Sequence, residues 1–279
     1  MNGELMALSA AACYGITHFV CGLLARRVPG LTVSLYAQLG GTAVSILAAL
    51  ALPFGTPTPA DLGWGVLSGL GTGLAVAFLY RAMSSGAISV VVPVSDVGAV
   101  VIPVLVALLL LGERPPPGGI VGFCVALPAL WLVSQSGGRE RGNAAPGLRD
   151  ALIAGVGFAI TFLALKPIPL DAGLWPIVAS RVASVAMILP LVATMGAPLK
   201  APLRPGLAAA AVGIVGTAAT VLYWMAVHHQ LAAVATVLAA LYPAVPVVLA
   251  LVFLRERLNR KQVLGLCGAG AAIALIALP

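Results

Sequence analysis

The 279 residues are 61% hydrophobic and only 8% charged, with a formal net charge of +7, whereas a soluble domain carries roughly a quarter charged residues. That balance excludes a water-soluble globular domain and a disordered chain. Because no basic run is coupled to interleaved aromatics in a polar segment, it also argues against nucleic acid as a partner and for a lipid bilayer as the surroundings.

A spanning helix needs about 20 mostly apolar residues, and cutting the chain at charges and Pro/Gly clusters gives ten such segments. They run over 4–25, 32–52, 61–83, 86–111, 118–136, 148–166, 173–194, 205–227, 231–254 and 261–278. The first lacks a basic n-region and is not ended by an A-x-A cleavage site, so it is expected to be retained as a helix. Cys13, Cys21, Cys124 and Cys267 lie inside these segments without C-x-x-C spacing or a histidine cluster. They read as packing residues, and neither a metal nor any other cofactor is expected. The longest connection, SQSGGRERGNAAPGLRD at 134–150, falls at the midpoint. It divides the chain into a first unit at 1–136, a linker at 137–147 and a second unit at 148–279.

The two units match when the sequence is slid on itself by 143 positions. Leu79-Tyr80 then falls on Leu222-Tyr223, Pro103 on Pro246, Glu113-Arg114 on Glu256-Arg257, Gly122 on Gly265 and Cys124 on Cys267. Five helices per unit is an odd number, so the second copy must enter the membrane upside down. The expected fold is therefore an all-α integral membrane protein of ten transmembrane helices, built as two inverted five-helix repeats.

The stretch LYRAMSSGAISVVVPV…VIPVLVALLLLGERPPPGGIVG and its echo LYWMAVHHQLAAVATVL…YPAVPVVLALVFLRERLNRKQVLG resemble the paired EamA-like domains of the drug/metabolite transporter superfamily. The resemblance covers the whole chain. It implies a secondary carrier that works without an ATPase, and no GxxxxGK[ST] occurs. It does not imply a substrate, because relatives move amino acids, sugar nucleotides, amines or drugs. Some branches dimerise, so a homodimer stays open beside a pathway held within one chain.

Charge gives the orientation. The odd-numbered loops hold twelve Lys/Arg and the even-numbered loops two, Arg114 and Lys166. The positive-inside rule then puts the odd loops in the cytoplasm of an inner-membrane protein and both termini outside. Many relatives carry basic residues in the second loop; here that loop, PFGTPTPADLG, has none.

Candidate functional residues are the polar ones set deep in apolar segments. Asp96 stands midway along the fourth segment, where insertion costs about 2.5–3.5 kcal/mol. It must face a wet cavity, pair with a cation or be protonated. Arg181 in the seventh segment and His18 in the first lie comparably deep, and Arg181 coincides with Gln38 under the 143 shift. Asp96 is expected to couple protons or meet a substrate amine. Arg181 is expected to meet a substrate carboxylate, or to hold Asp96 until substrate displaces it. A purely structural Asp–Arg or Asp–backbone contact remains the competing reading. His18 fits either a neighbour's hydrogen bond or a proton role. Tyr36 and Tyr242 sit deep enough to need partners and join the pocket candidates.

Tyr80 and Tyr223 suit either gates or the interfacial aromatic belt, and Trp64, Trp131, Trp175 and Trp224 suit the belt. Pro93 and Pro103 in the fourth segment, with Pro243 and Pro246 in the ninth, are expected to break or kink helices at matching places, which marks hinges beside a midplane site. Glu113 and Glu256 are expected to cap the following helix or pair with their neighbouring arginines. His228-His229 lack a third converging ligand and read as exposed turn residues.

These features point to proton-coupled export of a small polar or zwitterionic metabolite, amino-acid or amine-like. Two rivals stay open: an uncoupled facilitator or exchanger, and a scaffold or lipid-handling protein through which no solute passes. An enzyme is not expected, since Asp96 has no acidic companion in the core.

Overall fold

The computed structural model describes residues 2–52, 55–85, 88–134, 145–253 and 259–277. Every long element among them is a helix, as the bilayer requires of a chain that must satisfy each backbone amide within its own segment. In order these are α1 (Gly3–Ala25), α2 (Gly30–Ala51), α3 (Pro59–Ser85), α4 (Ile88–Leu109), α5 (Pro117–Ser134), α6 (Ala145–Leu163), α7 (Trp175–Thr194), α8 (Leu203–His229), α9 (Ala232–Ala239), α10 (Ala244–Phe253) and α11 (Arg260–Ala277). By length and composition six segments among the described residues can cross a membrane: α1, α2, α3 over Pro59–Leu79, α7, α8, and α9 with α10 taken together. The protein is a multi-pass membrane protein.

Two helices carry the packing. α3 lies against α6 and α7, and α8 lies against α1 and α2; α5 runs along α11, and α4 reaches α6 and α9. Close approach depends on glycine, because lipid gives helices no hydrophobic reason to associate and van der Waals fit must do it. A Cβ at Gly213 of α8 would overlap the Ala37 carbonyl of α2, and one at Gly69 of α3 would overlap the Ser180 carbonyl of α7. Two capping boxes start helices. Thr58 Oγ1 and N donate to Asp61 at 2.7 and 2.8 Å at the head of α3, and the Gln262 amide donates to Asn259 Oδ1 at 2.8 Å at the head of α11.

The prolines behave differently in the two units. The ninth segment is broken: α9 ends at Ala239, and residues 240–243 form turns before α10 begins. Pro243 cannot donate to Ala239 and Pro246 cannot donate to Tyr242, so Tyr242 N and Val245 N make tighter bonds to Ala239 O and Tyr242 O instead. By contrast, α4 runs unbroken through Pro93 and Pro103. Of the two helices expected to be broken or kinked, the ninth segment shows a break; in α4 the missing amides free carbonyls without ending the helix.

Several aromatic and cysteine assignments also change. Trp224 is buried and donates from Nε1 to the Ile168 carbonyl at 2.7 Å, and Tyr223, 1% exposed, shares a 2.8 Å hydrogen bond with Thr236. Neither belongs to an interfacial belt, whereas Trp64 and Trp175 are exposed as belt residues should be. Cys124 and Cys267 are exposed, so they are not packing residues.

Candidate functional site

The site is built where α1, α2, α4, α7 and α8 meet the break between α9 and α10. Tyr242 lies in the break, and its hydroxyl donates to Asp96 Oδ1 of α4 at 2.6 Å. Asp96 and Tyr242 are both buried. The His18 ring of α1 stacks on Tyr242, with centroids 4.7 Å apart and planes at 24°. His18 itself is exposed, and one turn further along α1 a Cβ at Gly22 would meet nothing within 4 Å. Gly15 allows the approach of α1 to the break, since a Cβ there would stand 2.8 Å from the Tyr242 carbonyl.

Arg181 of α7 forms the second centre. Nη1 donates to Gln38 Oε1 of α2 at 3.0 Å, and Nη2 donates to the Gly216 carbonyl of α8 at 3.0 Å and to Thr220 Oγ1. Thr220 donates in turn to the same Gly216 carbonyl at 3.1 Å. All three acceptors are neutral. Two buried donors on this helix, Arg181 Nε and Ser184 Oγ, have no hydrogen-bond partner among the described residues. Among the described residues the ion pair within 4 Å is Arg81–Asp150, at 2.6 Å between α3 and α6. Asp96 and Arg181 therefore form no ion pair, and the direct contact considered from sequence is replaced by two separate sets of partners.

Tyr14 of α1 joins the two centres. Its hydroxyl donates to Thr220 Oγ1 at 3.2 Å, and its ring meets Tyr242 edge-on at 6.3 Å and Phe162 at 6.2 Å. A continuous series therefore runs from Gln38 through Arg181, Thr220, Tyr14 and Tyr242 to Asp96. Of the residues singled out from sequence, Asp96, Arg181, Gln38, Tyr242 and His18 come together here. Tyr36 does not: its hydroxyl accepts from the Ala201 amide at 3.4 Å, in the connection between α7 and α8. Tyr223 lies beside the site against Phe162, at 4.8 Å. The side chains of Tyr80 and Pro93 and the whole of Glu256 lie outside the described residues.

At the end of the bundle formed by the even-numbered loops, charges from both units clamp the α8–α9 turn. Glu113 accepts from the Ala232 and Ala233 amides at 2.8 and 2.9 Å, and Lys166 donates to the Val227 carbonyl at 2.5 Å. An anion at a helix N-terminus and a cation at a C-terminus both complement the local helix dipole. Glu113 caps α9, not the helix that follows it. His228 and His229 belong to the last turn of α8, each with Nδ1 within 2.9 Å of the carbonyl four residues back.

A multi-pass α-helical bundle with Asp96 under a tyrosine hydroxyl and Arg181 on neutral acceptors in its interior suits a membrane carrier. The chain belongs to the EamA-like transporter family, which matches residues 1–135 and 146–278. A protein of Streptantibioticus cattleyicolor described as a probable terminal-alkyne amino-acid exporter is 32% identical over 155 residues. The match takes in 52% of this chain and 50% of that protein, so the chain spans about half the length of the relative it matches. One solved crystal structure is similar in fold, with a TM-score of 0.78 at 19% identity, covering 99% of this chain and 96% of the other.

Proposed function

We propose that the protein is a secondary transporter of the inner membrane that exports a small zwitterionic metabolite of the amino-acid class by proton-coupled alternating access. The observation that carries this reading is the pair of interior centres joined by Tyr14: Asp96 under the Tyr242 hydroxyl, and Arg181 on neutral acceptors. An ammonium group suits the first and a carboxylate the second, and a proton on Asp96 would compete with the ammonium for the same oxygen. The name of the Streptantibioticus relative agrees with an amino-acid substrate.

The ten spanning segments are read as two inverted repeats of five. Support comes from Gln38 and Arg181, which are 143 positions apart and hydrogen-bonded to each other, as two equivalent residues are where a pseudo-two-fold axis passes between them. The same shift converts the packing of α3 on α6 and α7 into that of α8 on α1 and α2. With the odd loops cytoplasmic by charge, the clamped α8–α9 turn faces outside, and exposed His18 lies on the cytoplasmic half of α1. The state is then inward-open.

The test is proton flux in proteoliposomes carrying an internal pH dye, with amino acids, amines and small acids offered to wild type and Asp96→Asn. Solute-driven proton movement in wild type that the variant loses is the expected result. Equal, pH-independent transport by both would replace coupling with facilitated exchange.

A further inference from the structure

Residues 240–243, the turns between α9 and α10, correspond under the 143 shift to residues 97–100, which lie inside unbroken α4. The two stretches face each other, with Val100 lining the same small crevice as Ala240 and Leu241. In the break the amides of Leu241, Tyr242, Ala244 and Val245 each donate to the carbonyl three residues back, at 3.1–3.3 Å. The matching stretch of α4 is weak as a helix for two reasons. Pro103 leaves the Ala99 carbonyl without its helical donor, as Pro246 leaves that of Tyr242, the counterpart of Ala99. Gly98 lowers helix propensity further, and its use in this state is close approach, since a Cβ there would lie 3.2 Å from Gly155 Cα of α6. Straight α4 thus depends on its neighbour. Across 97–103 and 240–246 the one proline that the units do not share is Pro243, which stands where α4 has Val100.

We propose that the break moves: when the carrier turns from inward-open to outward-open, residues 97–100 of α4 open into turns and α9 joins α10 through residues 240–243. The inference rests on the alternating-access reading above and adds how the Asp96 site governs it. A pseudo-two-fold axis in the membrane plane relates the units, so giving each unit the other's conformation yields a molecule that faces the opposite side. Prolines do not forbid a continuous ninth helix, because α4 itself runs unbroken through Pro93 and Pro103. One contact cannot survive the exchange. Tyr242 reaches Asp96 at 2.6 Å from within the break, and the counterparts of this pair are Ala99 and Ala239, which have no hydroxyl or carboxylate to repeat the bond. The Tyr242–Asp96 hydrogen bond therefore belongs to one state. A proton or ammonium on Asp96 that displaces the hydroxyl removes that bond and favours the other state.

The experiment is amide hydrogen exchange in lipid nanodiscs, without cargo, on wild type, Pro243→Val and Val100→Pro. A proline inside a helix changes the local opening equilibrium by about a hundredfold, so each variant alters its own segment, and the test is the other one. Pro243→Val should slow exchange at 240–245 and, with α4 unaltered, speed it at 97–102. Val100→Pro should open α4 and slow exchange at 241–245, with α9 and α10 unaltered. The change in the unaltered segment should be about tenfold, within the range of coupling between two sites of one protein. Wild-type exchange in α3 and α7 shows that a variant has folded. If the unaltered segment keeps its wild-type exchange in every variant that folds, the break is a fixed feature of the second unit and the inference is overturned, whatever the proton-flux assay finds. If the unaltered segment responds but no solute moves in that assay, the moving break stands and the transport reading falls.

Discussion

The hydrogen bond from Tyr242 to Asp96 is the most exacting prediction, because its energy can be isolated. In Tyr242→Phe the ring keeps its stack on His18 at 4.7 Å and its edge contact with Tyr14 at 6.3 Å, so what disappears is the hydroxyl at 2.6 Å from Oδ1. A hydrogen bond to a charged group contributes about 1.5–3 kcal/mol, and one between neutral groups about 0.5–1.5 kcal/mol. Asp96→Asn keeps the shape and an acceptor oxygen but removes the charge, so the coupling in the Asp96→Asn/Tyr242→Phe cycle should be about 1–2 kcal/mol. The assay is reversible unfolding of wild type, both single variants and the double variant in mixed micelles. Coupling below about 0.5 kcal/mol, the scatter of independent sites, would mean that the hydroxyl and the carboxylate are adjacent without interacting and would remove Tyr242 from the mechanism.

Three further outcomes are expected. Glu113→Gln keeps one acceptor for the Ala232 and Ala233 amides but loses the charge and one hydrogen bond; it should cost about 1–2 kcal/mol in the same unfolding assay and speed proteolysis at the α8–α9 turn, whereas unchanged cleavage would show that the turn is held by other contacts. Arg181→Lys retains a positive charge but not the fork that reaches Gln38, Gly216 and Thr220 together, so efflux should fall at least about tenfold; wild-type rates would show that charge alone suffices. Gly213→Ala places a methyl against the Ala37 carbonyl and should destabilise the fold, while Gly22→Ala, with nothing within 4 Å, should stabilise α1 by about 0.5–1 kcal/mol through helix propensity. Equal melting midpoints for the two variants would contradict the close α2–α8 crossing.

What the sequence revealed, and what it hid, follows from the bilayer being as apolar as the protein interior. Asp96, Arg181, His18 and Gln38 stood out because a polar group at that depth has a cost that needs an explanation. Their depth along a helix was legible from position in the segment. Their direction around the helix was not, since both the lipid face and the packed face are apolar and no amphipathic stripe separates them. Hence Tyr36 and Tyr242, alike in depth, proved to differ: one faces the connection at Ala201 and the other faces Asp96. Trp224 was misassigned to the belt, and Tyr223 left open between belt and gate, for the same reason: both are near a helix end in sequence but turned inward against Ile168 and Thr236.

The threonines were hidden differently. Thr217 and Thr220 donate back to carbonyls of their own helix at 3.0 and 3.1 Å, so in a sequence they look like residues already satisfied, and their remaining lone pairs are the part that builds a site. Thr220 uses these to accept from both Tyr14 and Arg181, which makes a residue without charge the meeting point of the two centres. A buried tyrosine beside such a threonine, one helix over, is the signal that would have drawn Tyr14 into the candidate set; that adjacency depends on α1 packing against α8, a contact between residues 206 positions apart. The chemistry of this family member is therefore written in its charged residues, but the wiring between them is written in small and neutral ones, whose role becomes visible only when the helices are brought together.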